Sequence, residues 1–215
     1  MNPVPLPGST WHPAGVEQQW EHDGTSYHVV SMYLVTADAW TYELTGPPGD
    51  RCAVAVEVPD ATPHDGPFTP VESAGARVTV VGGPLPWLLL RRFIRFVEAS
   101  GDLVAGSPEP AVSGDLALTL NSWRFAGRSF EVNSFHDARH DGWCYELYEV
   151  DPANTANDYL YVRIPDLNPD GGPFAPADAR QVVLAAYGEP VLPWPVLQHF
   201  LDAVSASGDI VGEPG

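Results

Sequence analysis

The chain writes itself twice, and this constrains its fold more than any local pattern, because self-similarity at a fixed offset decides architecture first. Sliding the sequence by 103 residues aligns Trp20–Leu44 with Trp123–Leu147 without a gap and gives ten identities in 25 positions, where ordinary residue usage gives about one or two. The identities are Trp20/Trp123, Gly24/Gly127, Ser26/Ser129, Val29/Val132, Ser31/Ser134, Asp38/Asp141, Trp40/Trp143, Tyr42/Tyr145, Glu43/Glu146 and Leu44/Leu147. Further on, "VPDATPHDGPFTP" from Val58 answers "IPDLNPDGGPFAP" from Ile164. Last, "LPWLLLRRFIRFVEASGDLV" from Leu85 answers "LPWPVLQHFLDAVSASGDIV" from Leu192. The expectation is a tandem duplication of a domain of about 100 residues. The first copy occupies 1–106 and the second 107–215, the two related by a pseudo-twofold axis, and "GSPEPAVSGD" (106–115) has the composition of a linker.

Within each copy the pattern reads as strands followed by one helix. Asp23-Gly24 is a favoured two-residue hairpin turn between segments rich in aromatic and β-branched residues. "WTYELT" alternates, with Trp40, Tyr42 and Leu44 on one face and Glu43 on the other; "CAVAVEV" alternates likewise, and "RVTVV", matched by "RQVVLAAY", offers a further strand. Pro86 and Pro193 suit a first helical turn, where a missing N–H costs nothing. Leu90, Phe93, Ile94 and Val97, and Leu197, Phe200, Leu201 and Val204, then recur at helical spacing, and Gly101 and Gly208 stand where a left-handed cap ends a helix. The fold class is therefore α+β: in each copy a four- or five-stranded, mostly antiparallel sheet followed by one C-terminal amphipathic helix. The repeated aromatics fall on the apolar face and at the helix start, which assigns them to the core.

Charge narrows the partners. The 28 acids face only 10 bases, all of them Arg, for a net charge of −18. Such a surface repels phosphates and anionic lipids, so neither nucleic acid nor a membrane surface is expected as a partner, while the charge leaves room for a basic one. No stretch approaches a membrane span and "MNPVPLPGSTWHP" has no apolar leader core, so the expected location is cytoplasmic. Cys52 and Cys144 form no CxxC pair, which predicts two free thiols and no structural zinc.

Sequence motifs for a nucleophile, a phosphate loop or a dinucleotide are absent, and no cofactor is expected. Candidate binding residues are fewer and more specific. Glu43 and Glu146 recur although Glu is depleted in strands. Asp60 and Asp166 recur in matching "PD" turns, where side-chain capping of the turn accounts for them. "FHDARHDGW" carries His136 and His140, at metal-ligand spacing for a helix. The segment aligns with a strand end, where the two imidazoles would lie roughly 13 Å apart, so no metal is expected from that pair. Arg91, Arg92 and Arg95 align with Gln198, His199 and Asp202, which predicts a partner for the basic helix face, either the acidic second copy or an external acid. These observations favour a non-catalytic protein-interaction module of inhibitor, immunity or adaptor type. An enzyme or small-ligand binder with an inter-domain pocket using Glu43 and Glu146, and a self-assembling structural protein, are the alternatives; oligomeric state is not legible.

Overall fold

The computed structural model describes residues 15–62, 68–104, 111–113, 120–150, 158–168 and 172–212. The boundary between 106 and 107 and most of the 106–115 segment lie outside these residues. The first half runs β1 (Val16–His22), β2 (Thr25–Leu34), β3 (Ala39–Thr45), β4 (Ala53–Pro59), a 3-10 turn (Ser73–Gly75), β5 (Arg77–Val81), β6 (Leu85–Pro86) and α1 (Trp87–Ala99). The second runs β7 (Ala111–Ser113), β8 (Leu120–Phe125), β9 (Arg128–Asp137), β10 (Gly142–Glu149), β11 (Tyr159–Pro165), β12 (Ala177–Asp178), β13 (Val183–Tyr187), β14 (Val191–Pro193), α2 (Trp194–Ala206) and β15 (Ile210–Val211). The class is α+β, with two antiparallel sheets and one helix after each set of strands. Within the segment that reads as linker, Ala111–Ser113 pairs with β8 as an edge strand.

The meanders form where the turns permit. Asp23 and Gly24 have φ of 47° and 75°, and Ala126 and Gly127 have 48° and 80°, the left-handed pair that matches the twist of a two-residue hairpin. Pairing then sets the faces: Trp40, Tyr42 and Leu44 share the inner face with Val54, Val56 and Val58, all buried. Helix α1 covers this face, its Phe96 meeting Trp20 and Tyr42 edge-on at 5.7 and 6.0 Å. Helix α2 does the same on the second sheet, where Phe200 and His199 contact Trp123. Both Cys52 and Cys144 are free and buried. Burial pushes the thiols up, to about 11 for Cys52 and about 12 for Cys144, which makes them poor nucleophiles.

The halves are not merely joined end to end. The first sheet is ordered β1-β2-β3-β4-β5-β14 and the second β6-β13-β11-β10-β9-β8-β7, so each half lends the other the short strand that precedes its helix. Leu192 pairs with Val78 and Leu85 with Leu184. Each tryptophan that opens a helix completes the exchange, with Trp87 N–H donating to Val182 O and Trp194 N–H to Ala76 O. Pro86 and Pro193 thus end the exchanged strands and precede the first helical residue, where a φ near −60° serves both. A single hydrophobic core runs through both halves.

The repeated "SGD" is a docking device. Ser100 Oγ donates to Val97 O at the end of α1 and accepts the amide of Asp102, whose carboxylate takes the Tyr42 phenol from β3. Ser207, Asp209 and Tyr145 repeat the arrangement. The motif fixes each helix end to the middle of its sheet.

Candidate functional site

Each half builds the same constellation at one turn, between β2 and β3 in the first half and between β9 and β10 in the second. In the first half the turn residue Asp38 and the post-strand residue Asp60 are held side by side by a backbone bond, Asp60 N–H to Asp38 O at 2.9 Å. Asp60 Oδ1 accepts the amides of Thr62 and Thr69 at 2.9 and 3.1 Å, which is the turn role its sequence predicts. Burial by itself raises the Asp60 carboxyl, but those amides outweigh it and hold the group below its ordinary range. The Tyr33 phenol from β2 then reaches both acids, donating to Asp38 and lying 3.3 Å from Asp60 Oδ2. The hydrogen bond to Asp38 and the neighbouring negative charge push that phenol far up, so it stays a neutral donor. Trp40 and Phe68 wall the group, 5.9 Å apart.

The second half repeats every member but one. Asp166 N–H donates to Asp141 O at 3.0 Å, Asp166 Oδ1 accepts the amides of Asn168 and Ala175 at 2.8 and 2.9 Å, and Trp143 and Phe174 stand 5.8 Å apart. The Ala175 and Asn168 amides hold the Asp166 carboxyl below its usual range. Tyr33 is answered by His136, whose Nε2 lies 3.7 Å from Asp141 Oδ1 and 4.0 Å from Asp166 Oδ2. His140 does not join it: its Nδ1 faces Asp137 Oδ2 at 2.6 Å, so the two histidines of "FHDARHDGW" serve different acids. Asp166 stands 30 positions beyond His136 in the chain; only the backbone bond to Asp141 brings it in.

The remaining candidates are dispersed. Glu43 and Glu146 stand on the outer faces of different sheets, with no hydrogen bond or ion pair between them. Neither lines the groove of about 370 Å³ formed by His22, Leu88, Leu89, Arg92 and Arg95, or the cavity of about 220 Å³ beside Trp194 and Gln198. The basic face of α1 is used mostly within the molecule. Arg91 pairs with Asp202 of α2 at 3.0 Å, Arg92 lies over the Trp20 ring at 4.0 Å, and Arg95 Nε donates to Arg91 O at 3.4 Å. Where α1 carries Arg92 on Trp20, α2 carries His199 on Trp123. The substitutions between the helices thus mate one half with the other: Asp202, the counterpart of Arg95, receives Arg91.

A second difference lies on the outer face of the second sheet, opposite α2. Register places Tyr148, Tyr159 and Tyr187 in one cross-strand row, with Tyr161 beside Glu146 in the next. Tyr159 and Tyr187 stack at 5.3 Å and 17°, and Tyr148 donates to Glu131 at 2.6 Å. Tyr187 is 59% exposed and Phe135, on the same face, 39%. The corresponding row of the first sheet is Thr45, Ala53 and Val81, with Ala55 in place of Tyr161. Each tyrosine reads in sequence as an ordinary strand residue, and only the pairing register gathers them. Burial, followed by the charge of Asp137, raises the Glu146 carboxyl among them. A raised folded value means that ionised Glu146 opposes folding at neutral pH and ceases to do so once protonated. Glu146→Gln is therefore expected to melt above the parent at pH 7, with the difference closing as pH falls from the raised value of the folded carboxyl to the ordinary glutamate value. Equal melting temperatures at pH 7 would show that the neighbourhood costs Glu146 nothing.

No helix among the described residues is long and apolar enough to cross a membrane. Comparison with protein-family models, with curated proteins and with solved structures finds no match.

Proposed function

We propose that the protein is a non-catalytic interaction module that takes a basic protein partner on the outer face of its second sheet. The observation that carries this reading is the row of tyrosines, Tyr148, Tyr159 and Tyr187 with Tyr161, where the duplicated half keeps Thr, Ala and Val. Residues shared by the two halves serve the common fold, and a cluster of large aromatics present on one outer face alone needs another reason. Tyrosine supplies wide contact area at little entropic cost and is enriched at protein interfaces. Glu131 and Glu146 lie among the rings, and the net charge of −18 attracts a basic surface over longer range.

The test is affinity capture from the native cell extract with three baits: the parent protein, a Tyr159→Ser/Tyr187→Ser variant, and a control variant of the first sheet, Thr45→Ser/Val81→Thr. A stoichiometric basic partner, retained by the parent and the control, released by salt and lost from the tyrosine variant, is the expected outcome. Equal retention by all three baits, or no stoichiometric partner at low salt, overturns the proposal.

A further inference from the structure

The duplication supplies an internal comparison for the second-half constellation. Both halves present two aspartates in the same backbone frame, each locked by the same amide-to-carbonyl bond across the turn. In the first half one phenolic hydroxyl fills the space between them. In the second half the imidazole stops short: 3.7 and 4.0 Å exceed the reach of a hydrogen bond. Asp166 sharpens the contrast. Its side chain is only 6% exposed, its Oδ1 is committed to two amides, and its Oδ2 accepts no hydrogen bond among the described residues while facing His136. A carboxylate oxygen that faces an imidazole across this gap, its companion oxygen fixed by two amides, offers a ready ligand atom to a positive ion there.

We infer that this gap is a binding site for one divalent transition-metal ion, held by His136 Nε2, Asp141 and Asp166 Oδ2. One ligand atom from each residue lies within 4.8 Å of the others. Donors placed about 2.0–2.2 Å from a shared ion stand about 3–4 Å apart, so the site closes on an ion with little movement. The two amides on Asp166 Oδ1 hold the ligating oxygen in place, the outer-shell support that metal carboxylates use. One imidazole and two carboxylates select Zn²⁺ or Mn²⁺ over Ca²⁺ and Mg²⁺, which take oxygen ligands. Water completes the coordination, because His136 and Asp141 are exposed. His140 is outside the set, held by Asp137.

The comparison between halves also provides the experiment. Zn²⁺ titrated into the full chain by calorimetry is expected to bind one equivalent more tightly than about 100 µM, and Mg²⁺ at the same concentration is not. His136→Tyr installs the residue that the first half already accommodates, and is expected to weaken Zn²⁺ by about tenfold or more. Tyr33→His is the reciprocal change and is expected to raise the stoichiometry from one to two. If His136→Tyr fails to fold, as judged by circular dichroism, Asp141→Asn at an exposed turn takes its place. Absence of binding to the parent protein overturns the inference, because direct pairing of His136 with its two acids then accounts for the geometry. Unchanged binding in His136→Tyr or Asp141→Asn overturns it equally, because the ion then sits on other histidines.

Discussion

Residues 1–106 expressed alone are expected to form a dimer rather than a folded monomer. The first sheet ends on β14, and without it the edge of β5 loses the pairing of Thr79, Val78 and Arg77 with Val191, Leu192 and Pro193. Ala76 O loses the Trp194 amide, and buried Val78 and Val80 lose cover. An uncovered apolar edge recruits another strand. The isolated half carries the strand that fits, because Leu85-Pro86-Trp87 performs for the second sheet what Leu192-Pro193-Trp194 performs for the first. Two copies can exchange these strands about a true twofold axis, the swap in which identical elements trade places. The dimer is expected to be weak, since Asp202, the partner of Arg91, is replaced by Arg95 in the symmetric arrangement. Arg95→Asp restores the missing acid and is expected to tighten it. Sedimentation of both forms over a concentration series is the measurement, and a monomer with native-like far-ultraviolet dichroism would refute the exchange argument.

The same residues explain how much of this architecture a reader of the sequence can recover. Alternation in Trp40–Leu44, the Asp23-Gly24 turn and the helical stripe of Leu90, Phe93 and Val97 are local consequences of backbone geometry, and each forms as written. The strand exchange is invisible because β6 and β14 are two and three residues long. Their pairing depends on where the neighbouring half sits, and strands this short carry no periodicity of their own. Asp60 and Asp166 were legible as turn residues because Oδ1 acts within nine residues of chain. Their second oxygens act across the sheet, on Tyr33 and toward His136, which no local pattern specifies. The divergence of the α1 and α2 surfaces was visible as a difference in charge. Its meaning emerges only where Arg91 meets Asp202 at 3.0 Å and Gln198 donates to Glu98 at 2.6 Å between the two helices.

Because both halves share one core, damage at the seam should not stay in the half that carries it. Trp194 is 1% exposed and opens α2, which covers the second sheet, while its backbone N–H and the preceding strand belong to the first. Trp194→Ala is expected to cost about 3–5 kcal/mol, the ordinary range for emptying a fully buried tryptophan site. That loss is comparable with a large part of the stability of a typical domain. Its distribution is the informative part. If the exchanged strands make the halves one cooperative unit, hydrogen exchange of Val56 and Val78 amides in the first sheet accelerates as much as that of Val162 in the second. Trp87→Ala, at the equivalent position with its N–H on Val182 O, is expected to give the same pattern in mirror image. Protection lost only in the second sheet of Trp194→Ala would mean that the exchange strands fasten two independent domains. Equal loss in both would mean that the duplicated chain folds as a pseudo-dimer whose subunits have no separate native state.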